Sequence, residues 1–168
     1  LKITSGAKNT FLGYTAGMRL TTGSSNVAIG DTAMNGSVTP TGSWNVCIGL
    51  NTGYGITDGI RNVAIGPSSG LNISGGNANT HIGYAAGSGQ TTGSYNTCIG
   101  QSATPSAVDV ANEFTAGSTS VSTSRVQVDW TVLSDERDKA NIESLAEGSG
   151  LAFINDLRPV SYQSDVRE

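Results

Sequence analysis

Apolar and polar residues alternate along this chain only in short bursts. In Asn26-Val27-Ala28-Ile29, Val27 and Ile29 point to one side and Asn26 and Ala28 to the other, as the period of two in an extended backbone requires. The same phase returns in the pairs Val46/Ile48, Val63/Ile65, Thr80/Ile82 and Thr97/Ile99. Each burst is bounded by glycines, which permit the positive φ angles of tight turns. The pattern predicts short strands joined by turns.

The bursts belong to an internal repeat, G-x-x-N-x-x-I-G. It runs Gly23/Asn26/Ile29/Gly30, Gly42/Asn45/Ile48/Gly49, Gly59/Asn62/Ile65/Gly66, Gly76/Asn79/Ile82/Gly83 and Gly93/Asn96/Ile99/Gly100, preceded by Asn9/Leu12/Gly13. Successive Leu or Ile positions differ by 17, 19, 17, 17 and 17, a fixed period with one two-residue insertion. Fixed periods of this size mark architectures that stack one unit on the next. The expectation is an all-β solenoid or β-roll, with two or three short strands per coil and the asparagines aligned as an amide ladder. One coil holds little apolar area, so several chains are expected to share the core, as a homotrimeric β-solenoid, β-roll or triple β-helix.

The repeat covers residues 1–104, and residues 105–133 are expected to leave the period as a β-rich connector. There Val126, Val128, Trp130 and Val132 alternate with polar residues as one amphipathic strand. Beyond residue 133 the composition changes: 21 of 23 glycines precede residue 134, while the final 35 residues carry eight acidic and four basic groups and thus the whole net charge of −4. Ser134 suits a helix N-cap, and Leu151, Ile154 and Leu157 suit one helical face. Residues 134–168 are therefore expected to form a separate, short α-helical segment.

Composition removes several functions. An acidic chain with pI near 4.8 and no basic cluster does not suit nucleic acid, and no apolar run approaches the ~20 residues of a spanning helix. Two cysteines, Cys47 and Cys98, are too few for a disulfide framework, and with the single His81 they lack zinc-site spacing, so neither metal nor cofactor is expected. His81, Cys47 and Cys98 share one repeat position with Phe11, Ala28 and Ala64. The two thiols, three periods apart, read as free and core-facing. Three His81 side chains on a trimer axis are a remote metal site; a satisfied histidine is the expectation. Chain start Leu1, rather than Met, reads as that of a fragment.

Two resemblances sharpen the reading. The repeat resembles those of phage tail fibres and the head repeats of trimeric bacterial adhesins. The runs S-D-E-R-D-K (Ser134 to Lys139), I-E-S-L and L-A-F-I-N-D-L-R-P-V-S-Y, led in by Asn112 to Val126, resemble the start of the self-cleaving intramolecular chaperone of phage tail spikes and fibres. The chaperone resemblance implies trimerisation, then scission of the Leu133–Ser134 bond, with Ser134 as nucleophile, Lys139 as general base, and Asp135 and Arg137 in support. A serine hydroxyl needs such a base, and a lysine serves only with a lowered pKa. The family's chaperone normally continues through further long helices.

Trp44, Arg61 and Tyr95 share the position before the repeat asparagine, and Tyr14 and Tyr84 share the one after the Leu/Ile-Gly pair. Aromatic side chains on exposed turns suit sugar stacking, with packing against a neighbouring chain as the plainer reading. The expected partners are two further copies of the chain and a host cell-surface glycan or protein receptor. The expected location is the virion, after assembly in the host cytoplasm. The alternatives are a trimeric adhesin head and, lower, a polysaccharide-degrading spike, for which the repeats offer only the carboxylates Asp31 and Asp58.

Overall fold

The computed structural model describes residues 3–36, 39–123 and 125. Seven three-residue strands form one parallel sheet in sequence order: β1 Thr10–Leu12, β2 Val27–Ile29, β3 Val46–Ile48, β4 Val63–Ile65, β5 Thr80–Ile82, β6 Thr97–Ile99 and β7 Phe114–Ala116. Neighbours pair in register, Phe11 opposite Ala28, Ala28 opposite Cys47, and so on to Cys98 opposite Thr115. The described residues form a β-solenoid of about six turns, lying within one compact unit, Leu1–Ser124.

Each coil holds one strand rather than two or three. Left-handed residues explain this, because they interrupt extended backbone. In the first coil these are Thr15 (φ 54) and Gly17 (φ 58), with Ser25 (φ 58) at the next corner, and the same positions recur along the winding. The turns are nonetheless stacked by backbone bonds to the adjacent coil, such as Gly17 N–H to Ala33 O at 2.9 Å and Gly70 N–H to Ala86 O at 2.8 Å. Gly30 shows how close the stack is: a Cβ there would stand 2.4 Å from Gly49 O.

The winding also continues past the last copy of the motif. β7 keeps the 17-residue spacing although Glu113 replaces the asparagine and Ala116 the isoleucine. The period thus outlasts the letters that announced it. Val126 to Val132 and the helices expected from Ser134 onward lie outside the described residues.

The strand face that turns inward is the one carrying Asn and the small residues. Ala28, Cys47, Ala64, His81 and Cys98 are fully buried, as are the five asparagines Asn26, Asn45, Asn62 and Asn79, with Asn96 at 1% exposure. Leu20, Ile56 and Ile73 face them from the far side of the coil. Val27, Val46 and Val63 stay half-buried on the outer face, where Ile82 and Ile99 are exposed. A single chain therefore closes its own core. The reason is that amides and small side chains fill a thin interior that large apolar residues would overfill. In the long second coil, Met34 is fully buried at the position of the glycines Gly17 and Gly53, supplying the bulk that Leu20 and Ile56 supply elsewhere.

The ladder is continuous. Asn62 Oδ1 accepts from Asn79 N–H and from Asn79 Nδ2, both at 3.0 Å, while Asn62 Nδ2 donates to Asn45 Oδ1 at 3.1 Å and to Gly76 O at 2.8 Å. The same set repeats from Asn9 through Asn96 with small changes at the ends. Asn96 Oδ1 accepts from Glu113 N–H, and no amide continues the column beyond it.

Candidate functional site

The residues expected to carry chemistry or recognition fall into three places. Leu133, Ser134, Asp135, Arg137 and Lys139 lie outside the described residues. Trp44, Arg61 and Tyr95 lie on one corner of the solenoid. His81 lies inside it.

The corner is built by the turn before each strand. Lys8, Ser25, Trp44, Arg61, Ala78, Tyr95 and Asn112 all adopt left-handed backbone, φ between 54 and 62. Each coil must reverse direction here within one residue so that the following asparagine enters the core. That geometry turns the corner side chain outward: Trp44 is 54% exposed, Tyr95 is 65% exposed and Arg61 is exposed. The corner N–H groups are tied to the preceding coil, Trp44 N–H to Ser24 O at 3.0 Å and Tyr95 N–H to Asn77 O at 2.9 Å. The platform is therefore fixed while its side chains face solvent.

Trp44 and Arg61 occupy adjacent coils, and the guanidinium lies over the indole, 5.4 Å from the ring centroid. An exposed cation–π contact of this kind contributes about 0.5–1 kcal/mol and holds both groups flat. Tyr95 is two coils beyond Arg61, with the short Ala78 between them. The structure thus joins two of the three and leaves a step before the third. Tyr14 and Tyr84 are also exposed, 77% and 58%, beside Gly13 and Gly83.

His81 belongs to a buried polar network. Its Nε2 lies 2.9 Å from Gln90 Oε1, and Gln90 Nε2 donates to Asn79 Oδ1 at 2.8 Å and to Gly93 O at 2.5 Å. Because both amide hydrogens of Gln90 are engaged, its oxygen is the acceptor, which assigns the proton to Nε2. His81 Nδ1 is buried with no hydrogen-bond partner. Burial lowers the His81 pKa, with the Gln90 bond acting in the opposite direction. The His81 ring is thus enclosed within its own coil and paired with Gln90, the satisfied arrangement at Nε2.

Gln90 was absent from the sequence reading, although a signal existed: it stands where other coils carry Leu20, Ile56 or Ile73. One coil has exchanged an apolar pair for a polar one. Cys47 and Cys98 are free and buried, and burial pushes their pKa values up to about 12 and about 11 respectively. Among the described residues, no group of three or more His, Cys, Asp or Glu could hold a metal ion. Asp31 and Asp58 are both exposed. No helix among the described residues is long and apolar enough to cross a membrane.

A protein-family model described as the chaperone of endosialidase matches residues 134–167, less than half of the chain. No curated protein and no solved structure matches the chain. The matched segment begins at Ser134, where the composition changes, and follows the β-solenoid in sequence. That pairing fits a phage tail fibre or spike.

Proposed function

We propose that this chain is the distal part of a phage tail fibre or spike, a homotrimer that recognises the host surface and carries its own C-terminal chaperone. The observation that carries the reading is the order of parts: a β-solenoid in the described residues, then a chaperone-of-endosialidase match starting at Ser134. Assembly takes place in the host cytoplasm and the product resides in the virion.

Parallel trimerisation is supported by the outer strand face. Val27, Val46, Val63, Ile29, Ile48 and Ile65 present the same half-buried apolar pattern in successive coils. Copies aligned in register would bury that stripe against itself at every level, at about 25 cal/mol per Å². The corner column supplies the recognition surface, with Trp44, Arg61 and Tyr95 offering aromatic and cationic faces to a glycan or protein receptor.

The chaperone segment is released by its own chemistry. Ser134 Oγ attacks the carbonyl carbon of Leu133, the amide nitrogen of Ser134 becomes a free amine, and water opens the resulting ester. Lys139 takes the hydroxyl proton as general base, with Asp135 and Arg137 positioning the pair. The test is gel electrophoresis and mass spectrometry of the expressed protein. Two fragments are expected, one ending at Leu133 and one beginning at Ser134, and Ser134→Ala should give a single uncut trimer. A new amino terminus at another residue, or normal cutting in Ser134→Ala, rejects the assignment. A stable folded monomer by light scattering rejects the trimer.

A further inference from the structure

A regular solenoid has flat flanks, because each coil repeats the one beneath it. The flank beside the second coil departs from this. That coil is 19 residues long rather than 17, and its backbone at Gly36 runs so close to the next that a Cβ there would stand 2.5 Å from Tyr54 O. Next to it lies a cavity of about 540 Å³ lined by Thr32, Asn51, Tyr54, Leu71 and Asn72. Its volume falls within the usual range for small-ligand sites, about 300–1,000 Å³.

The lining has a distinct chemistry. Tyr54 and Leu71 hold the same position in consecutive coils, so an aromatic ring and a branched aliphatic side chain stack along one wall. Elsewhere that position is Met18, Asn35, Ser88 or Pro105. The other wall is amide and hydroxyl. Asn51 Oδ1 accepts from the Thr32 hydroxyl, and Asn72 Nδ2 donates to Ser88 O at 2.6 Å. These bonds hold one end of each amide, and the other ends, Asn51 Nδ2 and Asn72 Oδ1, are by chemistry a donor and an acceptor. No lining residue is charged.

We infer that this groove binds a neutral hexopyranose unit. A pyranose has an apolar face of C–H groups and a rim of adjacent hydroxyls, each both donor and acceptor. The Tyr54 ring and Leu71 suit the first, and the paired amides with the Tyr54 hydroxyl suit the second. An anionic sugar would bring a charge into a wall that has no cation to meet it. This deepens the host-recognition reading and rests on it for biological purpose, but the binding itself stands apart from the corner column of Trp44, Arg61 and Tyr95.

Saturation-transfer NMR on the assembled protein tests it, with methyl α-glucopyranoside, methyl α-mannopyranoside and methyl β-galactopyranoside as probes and sialic acid as the charged comparison. Transfer to ring protons of at least one neutral probe is expected, with at least tenfold loss in Tyr54→Ala and in Asn72→Ala. Asn72 is exposed, so its variant reports on the groove even if Tyr54→Ala disturbs the coil. Trp44→Ala should leave the signal unchanged. Absence of transfer to all three neutral probes overturns the proposal, as does undiminished transfer in Asn72→Ala. Transfer lost in the groove variants with phage adsorption unaltered would uphold the groove and reject the host-recognition role instead.

Discussion

Replacing Asn62 by alanine isolates the energetic role of the amide ladder. Four side-chain hydrogen bonds disappear: two accepted from Asn79 and one donated to each of Asn45 Oδ1 and Gly76 O. Some partners retain other bonds. Asn45 Oδ1 still accepts from Asn62 N–H at 2.9 Å, and Asn79 Nδ2 still donates to Gly93 O at 2.9 Å. The backbone N–H of Asn79, the second hydrogen of its amide and the carbonyl of Gly76 are left without a partner in a fully buried place. A buried unsatisfied group costs about 1–3 kcal/mol, so the expected loss is about 3–6 kcal/mol, allowing for relaxation. That is a large share of the ~5–15 kcal/mol that holds an ordinary domain together.

Asn9→Ala provides the internal comparison. Asn9 makes bonds of the same type to Asn26 and Gly23 O, but it is half-buried at the first coil, where water can replace lost partners. Its cost should be about 1–2 kcal/mol. Denaturant unfolding followed by circular dichroism, at equal chain concentration so that oligomerisation does not intervene, gives both values. Equal losses for Asn62→Ala and Asn9→Ala, or a loss below ~1 kcal/mol for Asn62→Ala, would refute the claim that buried amide pairing holds the coils together.

Lowering the pH should weaken the fold through His81. Its folded pKa lies below the ordinary 6.5, so the unfolded chain binds a proton first, and stability is lost as pH falls from about 6.5 toward the lowered value. Replacing the pair by the residues of other coils, His81→Cys with Gln90→Leu, should flatten that slope, and an unchanged slope rejects the assignment. Glu113, whose carboxyl is held below its ordinary 4.5 by Ser106 and Thr115, contributes stability that is present above that pH and lost as pH falls below it. Gly87→Ala should destabilise by about 1–3 kcal/mol, since φ is +62 and the new Cβ would stand 2.3 Å from His81 Nδ1, whereas Gly89→Ala, with nothing within 4 Å, should change stability by less than ~0.5 kcal/mol in a thermal melt. Cys47 and Cys98 should resist a thiol reagent at pH 8 until denaturant is added, because burial keeps them protonated; rapid labelling of the native protein contradicts this.

The period was legible because its markers are residues with narrow uses: a glycine where two backbones meet and an asparagine whose amide both donates and accepts. The ladder followed from that. What the letters could not show was how little of each coil is strand, since left-handed backbone at Thr32, Trp44 or Ala85 is imposed by stacking rather than by the residue. The seventh strand was hidden for a related reason. Phe114, Thr115 and Ala116 continue the register by backbone bonding, which tolerates loss of the motif once six coils have set the template. The expected need for a shared core came from counting apolar residues. That count omits the amides and small groups that fill much of the interior of each coil. The corner column was readable as a set of aligned positions, but the contact between Trp44 and Arg61 required knowing that adjacent copies stack directly. Gln90 and the groove at Tyr54 required comparing columns, not motifs.

The columns also explain how such a fold carries recognition at little cost to itself. Inward positions are constrained at each level, because the asparagines from Asn26 to Asn96 bond to the coils on both sides and the small residues beside them are fully buried. The corner position is constrained only in backbone, through its N–H bond to the preceding coil. Its side chain projects to solvent, and so Lys8, Ser25, Trp44, Arg61, Ala78, Tyr95 and Asn112 can differ in size and charge while sharing one conformation. Left-handed backbone is strained by about 1–2 kcal/mol for residues other than glycine, yet glycine occurs at none of these seven corners. The strain is offset by stacking that fixes the corner anyway, and what it retains is a side chain. A ladder that supplies stability from within leaves the outer surface free to vary, coil by coil, toward whatever it must touch.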